Sequence, residues 1–181
     1  MPSRSLTTEQ VLTLLAETPP RIAALTAGLA PAQLHTTPNH DGWSANDVLA
    51  HLRSCADARG DFIWAILAED RPTLRAVNPT TWIEQTDYRE LEFAPSFRSF
   101  VRQRARLLRL LRSLPEKGWS RTAIVTGGGP ARERTVLFYA QWVARHERPH
   151  VKQIARIVNT MRREKQPLRR SGRMPAPASN Q

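Results

Sequence analysis

The chain has 181 residues, 40% of them hydrophobic and 24% charged, which suits one domain with a substantial core and excludes a wholly disordered protein. Its single cysteine, Cys55, excludes an internal disulfide. No apolar run is long enough to cross a bilayer and MPSRSLTTEQ holds no apolar signal core, so a cytoplasmic chain without membrane insertion is expected.

The formal charge of +11 is unevenly placed. Much of it lies on the segment Arg98 to Arg112 and at the end of the chain, on Arg162, Arg163, Lys165, Arg169, Arg170 and Arg173. Pro167, Pro175 and Pro177 accompany the terminal charges, so residues 5–165 read as a folded helical domain and 166–181 as a basic, disordered tail. Such a tail can hold polyanions nonspecifically through phosphate contacts. No zinc-finger spacing or nucleotide-binding glycine loop accompanies it.

In chain order, the first helix should begin near Thr7 or Thr8, with Val11, Leu12, Leu14, Leu15, Ile22, Leu25 and Leu29 at helical spacing. Pro19 and Pro20 leave two readings open, a break with a second helix or a kinked single one. Gly28 and the following Ala-Pro stop it, and His35 to Gly42 forms a loop. Ser44 with Asp47 is a capping-box start, with Trp43 placed to staple onto Val48. The helix then runs to about Leu67 and buries Val48, Leu52, Cys55, Phe62 and Ile66.

Residues 70–94, with Pro72, Pro79, Trp82, Tyr88 and Phe93, read as a long connection folded over the bundle. A third helix starts near Pro95 or Ser96, where Phe97, Phe100, Val101, Leu107, Leu108 and Leu111 give it an apolar side and its arginines form the solvated side. Leu114-Pro115 and Gly118 end it. Arg121 to Val125 can be extended, and Gly127-Gly128-Gly129-Pro130 is a turn. From about Thr135 a last long helix carries Leu137, Ala140, Val143, Ile154, Ile157 and Val158. The fold class is therefore all-α, a four-helix bundle with a long connection between its second and third helices.

Three histidines carry the sharpest chemistry. His146 and His150 are four apart, one turn apart on a helix face that continues through Val143, Ile154 and Ile157. His51 lies beside the buried stripe of the second helix. Meeting inside a bundle, the three imidazoles would supply a borderline transition metal with three nitrogens and leave a position open. The alternative is a core histidine satisfied by a neighbour and a solvated charged patch. Pro149, inside the pair, cannot donate to the carbonyl of Arg145 and should open or bend that turn. Cys55 is one turn past His51, either a space-filler or a reactive thiol. His35 and His40 read as exposed loop residues, Asp47 as a cap, and Glu147 as a surface residue facing away from the pair.

The pieces TPPRIAALTAGL, GWSANDVLAHL, which carries His51, and HERPHVKQI make the chain recognisable. From about Leu6 to about Arg163 it resembles the DinB-like superfamily of four-helix proteins, which includes damage-inducible proteins and bacillithiol- or mycothiol-linked transferases and hydrolases. The resemblance maps the family's metal triad onto His51, His146 and His150 and implies a divalent cation, nickel, zinc or manganese. It implies a metal-dependent hydrolase or low-molecular-weight thiol transferase acting on a small thiol or amide substrate, and a homodimer, for which Trp64 and Trp82 offer contact area. The competing reading, resting on the charge, is a noncatalytic basic adaptor or nucleic-acid-associated protein with a structural metal or none. Against it, the aromatics coincide with the expected core and do not interleave with the basic residues.

Overall fold

The computed structural model describes residues 5–38 and 42–164; His40 and the expected tail 166–181 lie outside them. Helix α1 spans Thr8–Thr26. It starts on a capping box in which the Thr7 hydroxyl accepts from the Gln10 amide at 3.2 Å and the Gln10 side chain accepts from the Thr7 amide at 3.0 Å. Pro19 and Pro20 do not break it, so of the two open readings the single helix is the one formed. Gly28 then takes a positive φ of 75°, open to glycine without strain. Pro31 does more than stop α1: it opens a short helix, α2 (Pro31–His35), where its fixed φ and missing amide cost nothing.

Helix α3 spans Ala45–Ala68 and begins as its sequence dictates. The Ser44 hydroxyl accepts from the Asp47 amide at 3.1 Å, and Asp47 Oδ2 accepts from the Ser44 amide at 2.9 Å. Trp43 packs on the core cluster that holds Val48. The connection is more structured than expected. It contains strand β1 (Thr73–Arg75), a short helix α4 (Pro79–Trp82) and a 3-10 turn at Ile83–Gln85. Its far end is pinned to α3, because the Asn46 side chain donates to the carbonyls of Arg89 and Leu91, both at 3.1 Å. Tyr88 donates to Asp57 at 2.7 Å while the Arg53 guanidinium lies 3.8 Å over its ring.

Helix α5 (Phe93–Ser113) starts two residues earlier than Pro95, and one turn of helix, α6 (Glu116–Trp119), follows it. Strands β2 (Thr122–Thr126) and β3 (Arg132–Thr135) then lead into α7 (Val136–Glu164). The glycine turn joins β2 to β3, with Gly127 at φ 84° and Gly129 at φ 102°. β2 pairs with β3 antiparallel, Val125 opposite Arg132, and with β1 parallel, Thr73 opposite Ile124. This three-stranded sheet is a minor addition to the expected all-α class, and β1 and β3 are the elements the sequence did not reveal. β1 is only three residues long, and β3 reads RERT, with no apolar alternation.

In the bundle α1 and α3 each pack against both α5 and α7, so α5 faces α7 across the centre. The core divides into two apolar clusters. One holds Val11, Leu15, Phe62, Ile66, Leu107, Leu111 and Val143; the other holds Ile22, Val48, Leu52, Phe100, Val151 and Ile154. Between them every long helix contributes buried polar atoms: Thr18 from α1, Ser54 from α3, Arg104 from α5 and Glu147 from α7. Two expectations fail here. Glu147 is no surface residue but 1% exposed, ion-paired to Arg104, and Arg104 is 3% exposed instead of sitting with the solvated arginines of α5. Burial pushes the Glu147 pKa up, and the Arg104 guanidinium opposes that rise.

Candidate metal centre

The polar layer continues sideways from Glu147 to the next residue, His146, and there reaches α3. His51 is buried in the second turn of α3, and its Nε2 lies 3.2 Å from Nε2 of His146. The His150 ring joins them, with centroids 4.7 Å from His51 and 4.6 Å from His146; His51 and His146 stand 5.0 Å apart. All three expected histidines are thus brought together between α3 and α7. His35 is not with them: it ends α2, 3.4 Å from Glu92.

Cys55 comes closer than a mere filler of α3 would need to. Its Sγ is 3.5 Å from His51 Nε2 and 3.9 Å from His146 Nε2. One ligand atom from each of His51, Cys55 and His146 fits within a 4.8 Å span. His150 is held differently, its Nδ1 2.9 Å from Gln153 Oε1. Such a bond leaves Nε2 as the ring's remaining donor atom and is the usual way an outer residue fixes a ligating imidazole.

Aromatic walls set the ring angles. Trp142 stacks on His146 with centroids 4.5 Å apart and planes 13° apart. Trp43 meets His51 edge-on at 5.1 Å and lies parallel to His150 at 6.3 Å. Neither tryptophan was singled out for this role from the sequence, nor was Gln153. The position of Trp142, four residues before His146 on the same helical face, was the available signal.

Burial keeps these groups uncharged. It lowers the pKa of His51 to about 4, helped by His150 and Arg89. It lowers that of His146 to about 3, with His150, His51 and Arg59 adding to the effect. It pushes the Cys55 thiol up to about 12, with Arg59 opposing and Glu147 reinforcing the rise. The imidazoles are therefore in the neutral state that ligation requires, while the thiol holds its proton until a cation displaces it.

The donor set fits a transition ion. Two nitrogens at about 2.0–2.1 Å from one tetrahedral zinc-like ion stand about 3.3–3.4 Å apart. The observed separation of His51 and His146 Nε2 is 3.2 Å. Two neutral imidazoles meeting nitrogen to nitrogen share at most one proton, so a site with a third ring beside them gains from a cation. Soft and borderline donors of this kind exclude calcium and magnesium as preferred ions.

The sequence profile of the DinB superfamily matches residues 14–154. This chain belongs to the DinB superfamily. A relative from Geobacillus thermodenitrificans (strain NG80-2) named "Putative metal-dependent hydrolase" is 30% identical over 125 residues, 67% of this chain and 68% of the relative. A protein of Geobacillus kaustophilus (strain HTA426) of the same description is 29% identical over 143 residues, 77% of each chain. The same fold is seen in YfiT from Bacillus subtilis, described as a "probable metal-dependent hydrolase with an unusual four-helix bundle topology". The TM-score is 0.68 at 22% identity, covering 89% of this chain and 93% of YfiT. Family membership and the bundle architecture expected from the sequence are both met.

Proposed function

We propose that this chain is a divalent-metal-dependent hydrolase whose ion, nickel, zinc or manganese, is held by His51, His146 and His150. The observation that carries the reading is the 3.2 Å approach of two neutral imidazole nitrogens from different helices, with a third ring beside them. The names of the Geobacillus relatives point the same way. When bound, the ion supplies Lewis acidity near neutral pH, enough to activate water or polarise a carbonyl.

The chain's own residues divide the remaining tasks. Gln153 fixes the His150 ring, Trp142 and Trp43 hold the other rings in place, and the buried Cys55 thiol stands by as a further donor. Glu147 is not available as a general base, because its carboxylate is sealed in the core against Arg104. Transfer of a low-molecular-weight thiol would use the same open position to hold the substrate sulfur as thiolate, and it is the alternative reading.

Metal analysis and titration with nickel, zinc and manganese test the proposal directly. His51→Ala, His146→Ala and His150→Ala should each weaken binding by about a hundredfold or more, and His35→Ala should not. Metal-loaded protein should then hydrolyse members of a panel of amides and thiol conjugates. Acceptance of a free thiol in place of water would favour the transferase. Failure to bind any of the three ions at micromolar concentration, with the fold intact, would overturn the proposal.

A further inference from the structure

The sheet places charge where a structural role alone does not explain it. Val125 lies opposite Arg132 and Ala123 opposite Arg134, and cross-strand partners share a face. Ala123 and Val125 pack on the bundle core, so Arg132 and Arg134 stand on the bundle side of the sheet. Glu133, between them, is on the outer side, where it takes Arg71 at 3.2 Å and the Thr122 hydroxyl at 3.0 Å. The acidic member of RERT is thus neutralised on one face while both arginines look to the other.

A third arginine lines a cleft with them. Arg59 of α3 joins Arg132 and Arg134 around this cleft of about 270 Å³, with Tyr139 and Trp142 of α7 as its aromatic wall. Among the described residues no carboxylate lines this cleft, and Arg59 Nε is buried with no hydrogen-bond partner. Among the described residues Arg59 donates a hydrogen bond to the Val77 carbonyl, at 3.4 Å, and lies 4.5 Å over the Trp142 ring. Inward charges on an edge strand also discourage strand addition, but that role needs no partner from the bundle.

The cleft leads to the histidines. A neighbouring depression lined by Phe138, Gln141, Trp142, Arg145 and His146 shares Phe138 and Trp142 with it. The indole that Arg59 covers is the one stacked on His146. We infer that Arg59, Arg132 and Arg134 form an oxyanion subsite that selects substrates carrying a carboxylate or phosphate group, anchored across Trp142 from the reacting bond. This rests on the hydrolase reading for its purpose but not for its binding. Guanidiniums in a partly dry cleft bind such groups by paired, charge-assisted hydrogen bonds. The cleft is the specificity element, and the histidine cluster is the reactive one.

The test uses the full chain with glutarate and inorganic phosphate as probes, read by the indole N–H resonance of Trp142, assigned with Trp142→Phe. At least one probe should shift that resonance saturably. Arg59→Gln and the double variant Arg132→Gln/Arg134→Gln should each weaken the response about tenfold or more, the cost of a lost charge-assisted contact. The control Arg98→Gln/Arg109→Gln, on the exposed side of α5, should change it by less than about twofold. Preference for glutarate assigns carboxylates and preference for phosphate assigns phosphoryl groups. No saturable shift with either probe, or equal weakening in the α5 control, overturns the subsite. Zinc titration of the same samples separates the two proposals. Zinc binding without an anion response sinks the subsite alone, and an anion response in a chain that binds no metal sinks the hydrolase alone.

Discussion

Two neighbouring residues of α7, His146 and Glu147, open onto two polar clusters of opposite character. Glu147 turns to the bundle centre and finds Arg104, a partner of opposite charge. His146 turns to α3 and finds His51 and Cys55, with His150 one turn along its own helix, side chains whose lone pairs could serve a cation. The first cluster is closed in charge, guanidinium against carboxyl, although Arg104 Nε and Nη1 and Glu147 Oε2 have no hydrogen-bond partner among the described residues. The second is open in charge: the neutral rings of His51 and His146 converge beside Cys55 and His150. Opposed charges suit a structural role, and converging neutral donors suit a bound cation.

The largest effect should come from unbalancing the closed cluster. Glu147→Ala leaves Arg104 buried without its counter-charge and should cost about 3–5 kcal/mol in denaturant unfolding. Replacing both partners with apolar residues, Arg104→Met with Glu147→Leu, should recover most of that loss. If the single and double variants were equally damaged, the two charges would not be answering each other.

A smaller effect is expected at the rim of the open cluster. Gln153→Ala frees the His150 ring and should weaken metal affinity about 10- to 100-fold while leaving the metal-free melting temperature nearly unchanged. Isothermal titration beside calorimetric melting reads both quantities, and a fall in stability without a fall in affinity would make Gln153 a packing residue.

The gentlest probe is pH. His51 and His146 have native pKa values of about 4 and about 3, below the ordinary 6.5. The unfolded chain therefore takes up protons that the native chain refuses, and metal-free stability should fall as pH drops from about 6.5 towards about 3. Above 6.5 these residues contribute no slope. His51→Gln/His146→Gln should flatten the melting-temperature profile in that window, and identical profiles would show that the rings are not held neutral by burial.

What the sequence disclosed was local. Ser44 with Asp47 announced the start of α3, and the spacing of His146 and His150 announced a shared face, because both depend on a few consecutive residues. That His51 would meet them followed only from bundle packing and the resemblance. Glu147 was misplaced because it was judged against His146 alone. Its place on the stripe Val143, Glu147, Val151, each four apart, was the overlooked signal. Arg104 lies likewise between Phe100 and Leu107 on α5. A charge at matching heights on two buried stripes is the sequence signature of a paired layer. β1 and β3 left no such trace, since their register is set by pairing across roughly fifty intervening residues and across a glycine turn.

The closed ion pair also has a mechanical consequence for the open site. Apolar helix faces slide past one another with little penalty, since one leucine fits a groove much as the next does. A slip of α7 by one turn, about 5.4 Å, would set Val143 or Val151 against Arg104 and strand its charge in the core. The pair therefore acts as a detent that permits one axial setting of α7. Because His146 is the very next residue, that setting also fixes the height at which the imidazoles of α7 meet His51.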